Sequence, residues 1–211
     1  MLTISDSASF LFIHVPKAAG TSVAKALAMH SSRDDWRVSN HNHDTLEGFL
    51  SANADKLLGR YGPDRDLWLA DYYSFCFVRN PWDRFVSFYA YLKKAQSGRI
   101  PQVAALEDFN ALLRALDRGD DWLMRLHGVR PQTDFYTLDG KTAAVDRVGR
   151  FERLHEDFGD ICALIGIKND LPHANASDHA AYTTLYDDWG RGLIAERYGD
   201  EISALGYRFG S

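Results

Sequence analysis

The stretch FIHVPKAAGTSVAKAL, residues 12–27, constrains the fold more than any other part of the chain. Phe10 to Val15 form an apolar run suited to a buried parallel strand. Pro16, Lys17 and Gly20 interrupt that run, and Val23, Ala26, Leu27 and His30 then recur at helical spacing. A strand that turns sharply into a helix presents unpaired backbone N–H groups and the positive helix end to one point, which suits phosphate or sulfate. Gly20 allows close backbone approach, and the N–H groups of Ala18, Ala19 and their neighbours as far as Ser22 converge. Thr21 and Ser22 add hydroxyls, and Lys17 adds a mobile positive charge. Read alone, these residues describe equally a tight strand-to-helix turn beside a solvated lysine. The turn is not a Walker A loop, in which Lys directly follows the last Gly, because here Lys17 precedes Gly20.

The same design returns in YYSFCFVRNPWDRFVSFYAYL, residues 72–92: an aromatic and β-branched strand, an Asn-Pro turn, then a helix. Phe85, Phe88, Tyr89 and Leu92 fall at i, i+3, i+4 and i+7, which predicts that they face a core. Arg79 closes the strand, and Ser87 lies off the apolar stripe, about 9 Å along the helix from Pro81. Asp83 and Arg84 read as an ion pair at the helix start with a structural role.

Between and after these units the alternation of strands and helices continues. Leu46, Phe49, Leu50 and Asn53 predict a helix entered through Asp44 or Thr45 as cap. Residues 106–127 read as one or two helices broken near Gly119, residues 143–151 as a third strand, and residues 152–167 as a helix. Leu171 to Tyr182 read as a loop, followed by closing helices. The expected fold is α/β, a P-loop-like core with a short parallel sheet flanked by helices and a helical C-terminal part. No linker divides the chain, so residues 1–211 read as a single domain.

Composition removes several classes. A net charge of −5 argues against nucleic acid and against a long polyanionic glycan as partner, and favours a neutral or modestly charged small molecule. Cys76 and Cys162 stand in apolar contexts without zinc or redox spacing, and read as buried thiols in a reducing compartment. No apolar run reaches membrane-spanning length, and residues 1–9 lack the features of a secretion signal, so the expectation is a soluble cytoplasmic protein. The histidines form no metal motif, and none is expected to hold a metal.

The pair HVPKAAGTS, residues 14–22, and FVRNPWDRFVSFY, residues 77–89, resembles the cofactor motifs of the carbohydrate sulfotransferases, the branch that includes heparan sulfate 2-O-sulfotransferases and bacterial relatives. RPQTDF, VGRFERL, LPHANAS and GYRF further along resemble the same family. The resemblance implies binding of 3′-phosphoadenosine 5′-phosphosulfate (PAPS) and transfer of its sulfuryl group to a hydroxyl of a carbohydrate or similar small acceptor. By that similarity Lys17 and the Ala18–Ser22 turn would hold the phosphosulfate, and Arg79 with Ser87 would clamp the 3′-phosphate. The family's catalytic histidine falls between the two motifs, where HNH at residues 41–43 offers two candidates: His43 is preferred as general base, with His41 second. Ser177 is the most plausible contact in the 171–182 loop, and Arg130 and Gln132 resemble a segment near the acceptor. Ala18 departs from the pattern, since relatives often carry a hydroxyl residue there. Two other functions fit an anion-binding α/β domain: an ATP-dependent kinase, disfavoured by the missing G-K-[ST] order, and a nucleotide-binding module without turnover.

Overall fold

The computed structural model describes residues 2–31, 44–62, 68–171 and 181–211. Among them, strands β1 (Leu2–Ser5), β2 (Phe10–Ile13), β3 (Tyr73–Val78) and β4 (Arg147–Arg150) are joined by helices, of which α1 (Gly20–Leu27), α2 (Leu46–Ala52), α3 (Pro81–Tyr91), α4 (Phe109–Arg118), α5 (Leu154–Ile165) and α6 (Asp188–Arg197) matter most. The chain divides into two compact units: Met1–Val78 with Gln132–Asn175, and Arg79–Pro131 with Ala176–Ser211.

The first unit holds the sheet, in the order β1-β2-β3-β4. β2 pairs parallel with β3, Phe12 opposite Phe75, and β3 pairs parallel with β4, Cys76 opposite Val148. Every residue of β2 is buried, as a strand covered on both faces requires. Phe12 packs on Phe75 with ring centroids 5.3 Å apart, and Phe77 reaches Phe158 of α5. The mostly parallel α/β sheet matches the expected class.

Three details differ from the sequence reading. β1 was not expected: it runs antiparallel to β2, Leu2 opposite Ile13, through a turn in which the Ser5 hydroxyl accepts from Ala8 N–H. Its four residues carry only two large apolar side chains, too few for a periodicity signal. The first predicted strand stops at Ile13 rather than Val15, before Pro16, which has no N–H to add to a ladder. The third predicted strand contracts to Arg147–Arg150. Ala143 instead bridges Thr137, and the Asp146 carboxylate accepts from both the backbone N–H and hydroxyl of Ser74.

α2 starts as its cap predicts, with the Thr45 hydroxyl accepting from Gly48 N–H at 3.0 Å. Both cysteines are free and buried. Burial pushes the Cys76 thiol well above its usual range and the Cys162 thiol up to about 11, so both are packed as small neutral groups.

The second unit is helical and builds its core around α3. Asn80 caps that helix, accepting from Trp82 N–H, and Pro81 fills the first helical position, where no donor is needed. Phe85, Phe88 and Leu92 are buried as predicted, and Tyr89 is half-buried with its ring against Phe109. α4 is capped by Asp108 and ends at Gly119, whose left-handed φ of 69° produces the anticipated break.

Asp83 and Arg84 do not pair with each other. Adjacent helical residues point in different directions, whereas residues four apart share a face. Asp83 instead meets Arg79, in the turn ahead of the helix, and Arg84 points into the core, 0% exposed, where it donates to the carbonyls of Gly128 and Arg130. The Tyr198 hydroxyl donates to the carbonyl between them, that of Val129, and the Arg84 guanidinium lies over the Tyr198 ring. Three successive carbonyls are thus held by buried side chains, which gives Arg84 the structural role expected of it.

Candidate functional site

In the first unit, β2 delivers the chain into the turn at residues 14–19, and α1 begins at Gly20. Lys17 has φ of 68° and Ala19 φ of 63°, while Ala18 between them is not left-handed. Alternation of this kind turns successive N–H groups toward one concave side, the arrangement that receives anions in many phosphate sites. Each left-handed non-glycine residue costs about 1–3 kcal/mol, so the surrounding structure must hold the turn in place. Buried Val15, Pro16 and Ala18 provide that hold, and Lys17 is half-buried at the edge.

α1 has no acidic residue in its first turn, which leaves the positive helix end without a local countercharge. Ser22 N–H and Val23 N–H both donate to Ala19 O, as a helix start requires. Ser22 is half-buried and Thr21 exposed, and the N–H groups of Ser22 and Val23 are taken up within the helix start.

Gly20 has a role that the sequence did not disclose. The His14 imidazole, buried and stacked on Phe12, lies directly over it: a Cβ at position 20 would sit 1.7 Å from His14 Cδ2. The glycine makes room for the histidine ring. Gly20→Ala should thus destabilise the protein by about 1–3 kcal/mol through overpacking, although alanine is the better helix former. The midpoint of denaturant unfolding reads this directly, and an unchanged midpoint would show that His14 moves aside without cost.

In the second unit, Arg79 is buried, and its Nε donates to Asp83 Oδ2 at 2.7 Å. Asp83 and Ser87 are four residues apart on α3, so the carboxylate partner of Arg79 and the half-buried Ser87 share one helix face. The pairing fixes which edge of the guanidinium faces Asp83 and thereby orients the other. Asp83 was not singled out as a site residue; its i, i+4 spacing from Arg79 was the available signal. Asn80 is likewise more than a cap: its side-chain N–H donates to Arg208 O at 2.8 Å and to Ser211 O at 3.1 Å.

Of the remaining candidates, His41, His43 and Ser177 lie outside the described residues. Arg130 is half-buried in the second unit, with its carbonyl held by Arg84. Gln132, in the first unit, is wholly buried. Among the described residues, no group of three or more His, Cys, Asp or Glu is arranged to hold a metal, and no helix is long and apolar enough to cross a membrane.

The sequence pattern of the sulfotransferase family matches residues 1–207. Carbohydrate sulfotransferase 11 of Rattus norvegicus and of Mus musculus are each 26% identical over 192 residues, covering 81% of this chain and 54% of those proteins. The chain thus spans about half the length of these curated relatives. An uncharacterized protein of Archaeoglobus fulgidus is 30% identical over 100 residues, covering 47% of this chain and 72% of that protein. The crystal structure of a sulfotransferase from Alicyclobacillus acidocaldarius aligns over 93% of both chains with a TM-score of 0.47 and 17% identity.

Proposed function

The chain belongs to the sulfotransferase family, and from that premise we propose that it moves the sulfuryl group of PAPS to a hydroxyl of a carbohydrate or similar small acceptor. The observation that carries this reading is the turn at residues 14–20. It combines a half-buried lysine, left-handed residues on either side of Ala18 and a helix end without countercharge. Such a turn fits a phosphosulfate better than it fits a neutral ligand.

When bound, PAPS supplies an activated sulfuryl group on a phosphate leaving group. Lys17 would meet the charge that grows on the leaving phosphate, and the backbone of Ala18, Ala19, Gly20 and Thr21 with the Ser22 hydroxyl would hold the donor. Arg79, oriented by Asp83, and Ser87 take the 3′-phosphate. His43, or as second choice His41, takes the proton of the acceptor hydroxyl. Ser177 adds a donor contact from the 171–182 loop.

That both mammalian relatives are carbohydrate sulfotransferases supports a carbohydrate as the acceptor class. The net charge of −5 supports a neutral or modestly charged one. The free buried thiols support a reducing, cytoplasmic setting. The family match runs through both compact units, which supports reading them as one domain.

The test is label transfer. Radiosulfur-labelled PAPS, incubated with the protein and a panel of soluble glycans, should yield acceptor-bound radiosulfur. Transfer of label from the γ-phosphate of ATP in place of radiosulfur would identify a kinase instead and overturn the reading.

A further inference from the structure

The motif GYRF at residues 206–209 has no part in the chemistry above, yet Phe209 occupies a built seat within the second unit. Its ring meets Trp82, Tyr182 and Tyr186 edge-on, with centroids 5.7, 5.6 and 5.7 Å away, and the Arg191 guanidinium lies 5.8 Å from its centre. The seat is itself tied together: the Tyr186 hydroxyl donates to Trp82 O, and Trp82 Nε1 donates to Arg191 O. Burial pushes the Tyr186 hydroxyl far above its ordinary range, which keeps it a donor.

On either side of Phe209 the chain is pinned to the turn that begins α3. Asn80, 0% exposed, donates from its side chain to Arg208 O and Ser211 O, and also to the Ser211 hydroxyl at 3.3 Å. Gly210 N–H donates to the Tyr182 hydroxyl at 2.7 Å. Asn80 directly follows Arg79, and its backbone carbonyl accepts from Arg84 N–H, so its bonds set the path of the chain at the base of the arginine.

We propose that the Phe209 seat makes residues 207–211 a buttress for the Arg79–Asn80 turn, and that Phe209 is a positioning residue for recognition of the donor's 3′-phosphate. Asp83 fixes the guanidinium from the side, and the buttress fixes the backbone from which it extends. The inference rests on the assignment of Arg79 to the 3′-phosphate and adds a residue that never touches the ligand. Its signature is a loss of discrimination for the 3′-phosphate rather than a general loss of binding.

The experiment compares dissociation constants for 3′-phosphoadenosine 5′-phosphate and adenosine 5′-phosphate by calorimetry, in wild type, Phe209→Ala, Phe209→Tyr, Tyr182→Phe and Arg79→Ala. Arg79→Ala should lower the preference for the bisphosphate roughly 10- to 100-fold, as loss of a charge-assisted contact does. Phe209→Ala should lower it about fivefold or more, from the loss of its edge-to-face contacts, and Phe209→Tyr should keep it. Tyr182→Phe, which removes the hydroxyl that accepts from Gly210 N–H and keeps the ring, should shift the preference the same way by a smaller factor and provides the reading if Phe209→Ala does not fold. A preference lost in Arg79→Ala but intact in Phe209→Ala, or intact in Tyr182→Phe where Phe209→Ala cannot be made, overturns the inference and leaves the assignment of Arg79 standing. A preference unchanged in Arg79→Ala itself overturns both.

Discussion

Lys17→Ala should lower turnover about 10²- to 10³-fold, the range seen when a single charge-stabilising donor is removed from an active site, while weakening the bisphosphate product much less. The asymmetry follows from where the charge is. On the proposed function, the donor's ground-state negative charge would be spread over several oxygens and met by the backbone of the turn. As the sulfuryl group leaves, charge would concentrate on the bridging oxygen, and the ammonium of half-buried Lys17 would be worth most at that moment. The left-handed conformation at Lys17 gives a second handle. Lys17→Arg keeps the charge but exchanges a compact ammonium for a broad fork, so it should restore binding more fully than turnover. Full turnover in Lys17→Ala would remove the lysine from the mechanism.

The other large effect concerns the base. His43→Ala should leave bisphosphate affinity nearly intact and reduce sulfuryl transfer about 10²- to 10⁴-fold, the span typical of general-base loss. His41→Ala should do much less. The measurement is the ratio of the two mutants' rates at saturating donor with one accepted hydroxyl substrate. The reverse ratio would move the base to His41, and two active mutants would place it elsewhere in the chain.

Much of this architecture was legible because local signals agreed with the tertiary fold. The parallel strands β2 and β3 are apolar enough to be read as buried on both faces, and the helices after them announce themselves through Gly20 and through Asn80-Pro81. β1 was hidden because half of its four buried positions hold Thr3 and Ser5, polar residues that a sequence pattern assigns to solvent. The candidate site was readable as residue types and order, and less so as geometry. That Gly20 accommodates His14, that Asp83 pairs with Arg79 rather than with Arg84, and that Asn80 donates to Arg208 O while Phe209 packs on Trp82 are facts of side-chain packing. Periodicity reports which face a residue occupies, not which neighbour it meets there.

On the proposed function the chain takes a donor with a 3′-phosphate and a 5′-phosphosulfate, and thermal unfolding with 3′-phosphoadenosine 5′-phosphate, and separately with ATP plus Mg²⁺, reads whether it does. The bisphosphate should raise the midpoint, with stabilisation of about 2.7 kcal/mol at one hundred times its Kd, and ATP with Mg²⁺ at the same concentration should raise it far less. A midpoint raised by ATP with Mg²⁺ and unmoved by the bisphosphate would rule out such a donor.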